Sequence, residues 1–226
     1  TSKWRLEKHG EKRFWQWVST WAVMFQHPRD IGFEQDGYDL PKLNLIEEQV
    51  ITEHRDNGSL LKNTAVSATD FYKELRLTQF ERLAIAARIA NQDKEQYLVW
   101  VKVDDEATEL KKLIPDAVEV HGSDSKEVKE KNLLAFANGE IRVMITKTKI
   151  AGMGMNFQSC HNQIFASLDF SFEQVYQAIR RSLRFGQLFD VNVWLITTDT
   201  MQNVIKTYYK KETQFNIMQK EMTEAA

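Results

Sequence analysis

YLVWVKVDDEATELKKLIPDAVEVHGSDSKEVKEKNLLAFANGEIRVMIT, residues 97–146, changes its hydrophobic period repeatedly, and that alternation decides the fold. YLVWVKV (97–103) is a short apolar run rich in β-branched and aromatic residues. DEATELKKLI (105–114) has helical spacing, and AVEVH (117–121) reads as a strand. SKEVKEKNLLAFANG (125–139) is an amphipathic helix closed by Gly139, and IRVMIT (141–146) returns to a strand. A glycine just past a helix takes the left-handed cap without a Cβ penalty. Strands alternating with helices of about 10 to 15 residues imply parallel βαβ units and an α/β fold with helices on both faces. Functional loops in such folds gather at the carboxyl ends of the strands.

The alternation extends in both directions. NQIFASL (162–168) and VNVWLIT (191–197) read as strands, and 172–184 and 199–221 as helices. Upstream, a strand is expected at Ile46–Glu53. A helix is expected from Thr69 to Asn91, with Phe80, Leu83 and Ala87 along one side. Residues 26–45 hold two of the three prolines and two glycines, which marks a connecting loop. Before it, EKRFWQWVSTWAVMF (11–25) sets Phe14, Trp17, Val18, Trp21 and Phe25 at helical spacing. An aromatic stripe at this period is expected to be a packing face, with a base-stacking platform as the alternative. The expected organisation is an aromatic-rich helical segment (1–45), an α/β domain (46–205) and a C-terminal helix (206–226).

Composition narrows the function classes. The chain is 42% apolar and 27% charged with a formal net charge of −2, which fits a globular protein without bulk attraction to nucleic acid. A local basic face survives such an average. The single cysteine, Cys160, permits no internal disulfide and suits a reducing, intracellular setting. No run of about 18 apolar residues exists, so no membrane span is expected. TSKWRLEKHGEKRF (1–14) lacks the apolar stretch of a signal peptide, and a start at Thr rather than Met is expected of an excised piece or a processed chain.

Three stretches are candidates for chemistry. VKVDDEAT (101–108) ends an apolar strand in Asp-Glu, as an acidic Mg²⁺ box would. Such a box needs a G-x-x-x-x-G-K-[ST] phosphate loop upstream, and none of the nine glycines is followed by lysine. Asp104, Asp105 and Glu106 read better as the first turn of a helix, where acids favour the dipole. AGMGMNFQ (151–158) places Gly152 and Gly154 just after a strand. Phe157 stands where a dinucleotide fingerprint wants its third glycine, and no helix follows directly. The glycines suit either close backbone approach to a phosphate or ribose, or an ordinary tight loop. QAIRRSLRFGQ (177–187) carries Arg180, Arg181 and Arg184. If the helix continues, Gln177, Arg181 and Arg184 share a face. Arginine suits phosphate through its planar, permanently charged fork, while a basic surface helix paired with acids such as Glu173 is the alternative. The five histidines and Cys160 show no metal-ligand spacing, so no metal site is expected.

The order of these pieces carries a resemblance. YLVWVKVDDEATELKKL is followed by VEVHGSDSKEVKEKNLLAFANGEIRVMITKTKIAGMGMNFQ and then FASLDFSFEQVYQAIRRSLRFGQ. The set closely resembles the second RecA-like lobe of superfamily-two helicases of the Swi/Snf-type branch. Members of that branch read as a strand and helix, an "HG…F..G" segment, an "AG.G.N" loop and "Q….R..R.GQ". The wording is nearest to phage and prophage helicases of the DEAD/DEAH-like kind, and the resemblance covers about residues 21–205.

The resemblance implies a RecA-like parallel sheet in the C-terminal lobe of an ATP-dependent DNA helicase or translocase. ATP and Mg²⁺ would be held with the N-terminal lobe of the same protein, which carries the phosphate loop. Arg181 and Arg184 would be the arginine fingers, supported by Gln177. Gly152, Gly154 and Asn156 would lie near the nucleotide. Lys102, His121, Thr146 and Lys147 would face the DNA backbone, which suits stepping regardless of sequence. The implied setting is the cytoplasm of a bacterial or phage-infected cell. The fragment alone would be inactive. The competing expectation is a non-enzymatic nucleic-acid or protein-binding α/β module.

Overall fold

The computed structural model describes residues 8–25, 27–34, 37–51, 68–151, 155–168 and 171–225. The chain divides into two compact units, Leu40–Tyr208 and a second made of Thr1–Asp39 with Tyr209–Ala226.

The Leu40–Tyr208 unit is built on a six-stranded sheet. Its strands are β1 (Leu43–Val50), β2 (Tyr97–Val101), β3 (Val118–Val120), β4 (Val143–Lys147), β5 (Asn162–Phe165) and β6 (Val191–Thr198). Their order is β1-β6-β5-β2-β4-β3, and each neighbouring pair is parallel. All five residues of β2 are buried. A strand covered on both sides must be apolar throughout, so the YLVWV run is the expected signature of a central parallel strand.

The intervening helices are α2 (Ala68–Leu77), α3 (Gln79–Ala90), α4 (Asp104–Leu113), α5 (Lys126–Ala137), α6 (Thr148–Ala151) and α7 (Phe172–Ile179). On one side of the sheet, Leu83, Ala86 and Ala87 of α3 and Ala107 and Leu110 of α4 pack with Tyr97, Val99, Ile145 and Ile164. Side chains alternate along a strand, so Leu98 and Trp100 point the other way. There Trp100 stacks on Phe165 at 6.0 Å, and Gln163 ties α7 to the sheet through a 3.2 Å bond to the Ile179 carbonyl. This is the RecA-like layering expected from the sequence. Register sets Val101 opposite Lys147, Trp100 opposite Phe165 and Val120 opposite Thr146, so the carboxyl ends of β2 to β5 finish side by side.

Two helices differ from expectation. The helix expected over Thr69–Asn91 is interrupted at Thr78. The buried Arg82 guanidinium donates to the Leu75 carbonyl at 2.6 Å and to the Thr78 hydroxyl at 3.1 Å, taking an acceptor from the regular ladder. Phe80, expected on the packed side, is 78% exposed, whereas Leu83 and Ala87 are buried. The helix expected over 172–184 stops at Ile179. Beyond it the Arg181 carbonyl accepts from the Phe157 amide at 2.8 Å, a partner far away in sequence. The last helix begins as a 3-10 turn at Asp199–Met201 and continues as α8, Gln202–Ala225.

In the smaller unit, α1 covers Lys8–Ser19. Val18 is the buried member of its aromatic stripe. Trp17 and Trp21 pack edge to face at 5.5 Å and are 59% and 65% exposed within this chain, so the stripe is not part of its core. A 3-10 turn at Pro28–Ile31 is capped by His27 and closed by Gly32 at φ +83°. Among the described residues no helix is long and apolar enough to cross a membrane.

Candidate functional site

The segment after α7 is positioned by a zipper of hydrogen bonds to residues 156–160. Ser171 caps the start of α7 through the Gln174 amide, and Phe172, Val175, Ala178 and Ile179 anchor its buried face. Past Ile179 the chain runs as successive turns, and Gly186 takes φ +89°. Arg184 donates to the Asn156 side-chain oxygen, and Gln158 donates to the Phe185 carbonyl. Gln187 is buried and donates to the Gln158 carbonyl at 3.1 Å, while its own oxygen accepts from the Phe189 amide at 3.0 Å. A Cβ on Gly186 would lie 2.9 Å from Gln158 Nε2, so a side chain there would have to displace the Gln158 amide.

Arg181 and Arg184 are thereby brought together, although not as two positions on one helical face. Neither forms an ion pair with a carboxylate among the described residues. Burial, and then the Arg184 charge, push the Arg181 guanidinium below its usual range. It remains a cation, because arginine stays charged at any ordinary pH. Its Nε is buried without a hydrogen-bond partner. Two adjacent cations with no counter-ion among the described residues form a site suited to an anion.

The other residues of the run separate from this pair. Arg180 lies over the Tyr176 ring, 5.1 Å from its centroid. Gln177 donates to Glu173 at 3.2 Å along the exposed side of α7, and no bond joins it to either arginine among the described residues. Gly152 and Gly154 lie outside the described residues. Gln158 and Gln187 brace the site, and sequence reasoning assigned them no role. The signal available was that both sit at the ends of the two motifs that meet.

A second group lies at the carboxyl ends of β2, β3 and β4. The Asp104 Oδ1 atom is 2.7 Å from Lys147 Nζ and 2.7 Å from His121 Nε2. Lys147, and secondarily His121, hold the Asp104 carboxyl below the usual carboxylate range. Thr146 is buried, and its hydroxyl donates to the Val120 carbonyl at 3.1 Å, so it joins strands rather than facing outward. Lys102 is half-buried, and its amide donates to Glu106 Oε2 at 3.0 Å.

Glu106 belongs to the interior. Its Oε1 meets Arg82 at 2.8 Å and Ser167 at 2.5 Å, and both Glu106 and Arg82 are buried. Arg82 also donates to the Ala166 carbonyl at 2.5 Å. The pair ties α3 and the start of α4 to the end of β5, which supports the helix-start reading of DDE. Cys160 is buried, and burial pushes its thiol up to about 12, far from a reactive thiolate. Among the described residues no group of three or more His, Cys, Asp or Glu could hold a metal.

Comparison with known proteins agrees with this architecture. Residues 71–186, just over half of the chain, match the family model described as the helicase conserved C-terminal domain. No curated protein matches the chain. Among solved structures, the C-terminal part of the Fun30 ATPase domain is similar, with TM-score 0.50 and 16% identity over 70% of this chain. The chain spans 57% of that structure. The C-terminal domain of the DEAD-box protein Dbp5 is similar at TM-score 0.51 and 11% identity, covering 76% of this chain and 84% of that one. At these identities the likeness is one of fold.

Proposed function

The chain belongs to the family of helicase conserved C-terminal domains, and from that membership we propose that it is the second lobe of an ATP-dependent DNA helicase or translocase. Its motif wording places it nearest the Swi/Snf-type branch of superfamily two, among phage and prophage enzymes of the DEAD/DEAH-like kind. The cytoplasm of a bacterial or phage-infected cell is the setting this implies. The observation that carries the reading is the adjacent Arg181 and Arg184, without a carboxylate partner among the described residues and locked in place by the zipper to Asn156 and Gln158.

In this reading Arg181 and Arg184 act as arginine fingers. They reach across a cleft to a γ-phosphoryl group and stabilise charge that develops on its oxygens during transfer. Asn156, bonded to Arg184, would lie near the nucleotide together with Gly152 and Gly154 and couple it to DNA. Gln177 lines the approach from the exposed side of α7. ATP supplies the transferable phosphoryl group, and Mg²⁺ neutralises its oxygens when bound. The two cations fit the polyphosphate. Mg²⁺ would be held by an N-terminal lobe carrying the phosphate loop, a G-x-x-x-x-G-K-[ST] motif that does not occur in these 226 residues. Lys102, His121 and Lys147, at the strand ends, contact the DNA backbone.

Joining the chain to a phosphate-loop lobe from the same protein tests this directly. DNA-stimulated ATP hydrolysis by the joined protein, with none by the chain alone, is the expected result. Hydrolysis by the chain alone, or a joined protein that binds DNA without any turnover, would support a self-contained enzyme or a non-enzymatic binding module instead.

A further inference from the structure

At the strand-end site a single atom, Asp104 Oδ1, receives two donors from two different strand ends. Lys147 Nζ comes from the end of β4 and His121 Nε2 from just past β3, each at 2.7 Å. That separation is typical of a charge-assisted bond to an anionic oxygen. The imidazole is oriented from its other side: Nδ1 faces the Ser123 amide at 3.3 Å and the Ser123 hydroxyl at 2.8 Å. A backbone amide only donates, so Nδ1 accepts, and Nε2 carries the proton offered to Asp104. The turn that holds His121 is itself fixed, because the His121 amide donates to the Asp124 carboxylate, three residues on, at 2.7 Å. Lys129 closes the same turn through the Gly122 carbonyl at 2.5 Å. The two donors therefore form a prepared seat for one anionic oxygen.

We propose that Asp104 is a built-in competitor for the nucleic-acid phosphate, occupying the seat formed by Lys147 and His121 until a backbone phosphate oxygen replaces its carboxylate. The proposal rests on the reading of these residues as DNA contacts. The Asp104 side chain is 51% exposed, against 27% for Lys147 and 33% for His121. The competitor is thus the member most open to solvent, while the donors stay held by their surroundings. Exposed ion pairs are individually weak, so exchange for a phosphate is inexpensive. The Glu119 carboxylate, 3.9 Å from His121 Nε2, is too distant for a hydrogen bond and does not fill the seat. Asp104 would then weaken standing contact with DNA and let a translocase release and re-engage the backbone at each step.

The test measures binding of a fluorescent duplex oligonucleotide by the chain, as a function of salt, for wild type, Asp104→Asn and Asp105→Asn. Asp105 is also exposed at the start of α4 and undergoes the same charge change, but the ion pairs of Lys147 and His121 at this site go to Asp104 and not to Asp105. Asp104→Asn is expected to tighten binding by about threefold more than Asp105→Asn and to steepen the salt dependence by about one ion, as Lys147 becomes free to neutralise a phosphate. Adding Lys147→Ala to Asp104→Asn should abolish the gain. Equal effects of the two asparagine variants would overturn the proposal and leave the DNA reading intact. No binding by any variant at low salt would overturn the DNA reading itself.

Discussion

At Glu106 both carboxylate oxygens are engaged: Oε1 by Arg82 and Ser167, Oε2 by the Lys102 and Val103 amides. An acid in this condition has no free lone pair directed at a substrate, and its burial requires its cation. Removing one member of a buried ion pair leaves the other uncompensated, at a cost of about 3–5 kcal/mol. Glu106→Ala should lower stability by that amount in urea denaturation. The double variant Arg82→Met with Glu106→Leu should cost less than Glu106→Ala alone, because no buried charge is left unpaired. Asp104, two residues earlier, has the opposite character: exposed, shared between two donors and exchangeable. The sequence DDE thus holds a structural acid and a site acid within one turn, a distinction that composition and spacing do not carry. The basic run divides in the same way: Arg180 lies on Tyr176, whereas Arg181 and Arg184 pair with no carboxylate among the described residues.

At the scale of elements, Gly186 sits where the turn after α7 lies against the Gln158 side chain of the loop at residues 156–160. Gly186→Ala is expected to destabilise through both a left-handed backbone and a displaced Gln158. Gly139 offers the control, with a similar φ of +79° and open space around it. Each alanine should cost about 1–2 kcal/mol in backbone strain. Thermal melts should show Gly186→Ala as the more damaging of the two. Equal losses would mean that the zipper does not constrain the turn. The β2 to β5 alternation was legible in sequence because buried parallel strands must be apolar throughout and their helices amphipathic. Helix ends were less legible where a distant group decided them. Arg82 interrupts the ladder at Thr78, and the Phe157 amide takes the Arg181 carbonyl, and neither partner is near in sequence. The meeting of Asn156 with Arg184 was legible as two motifs in order. Gln158 and Gln187, which hold that meeting in place, act through backbone carbonyls that no motif specifies. The aromatic stripe of α1 is a different case: helical spacing of large side chains implies a face, but not what covers it.

At the scale of the whole molecule, the Leu40–Tyr208 unit presents an anion-seeking pair and a strand-end edge on a single parallel sheet. A helicase lobe gains function by opposing such a surface to a second lobe, and the proposed function stands or falls with the arginine pair. The most direct measurement is DNA-stimulated ATP hydrolysis by the chain joined to its phosphate-loop lobe, with and without Arg184→Ala. Arginine fingers contribute about 10³-fold or more to phosphoryl transfer, so the variant should lose about that much in kcat while still binding nucleotide. Activity retained within a few fold of wild type would contradict the account.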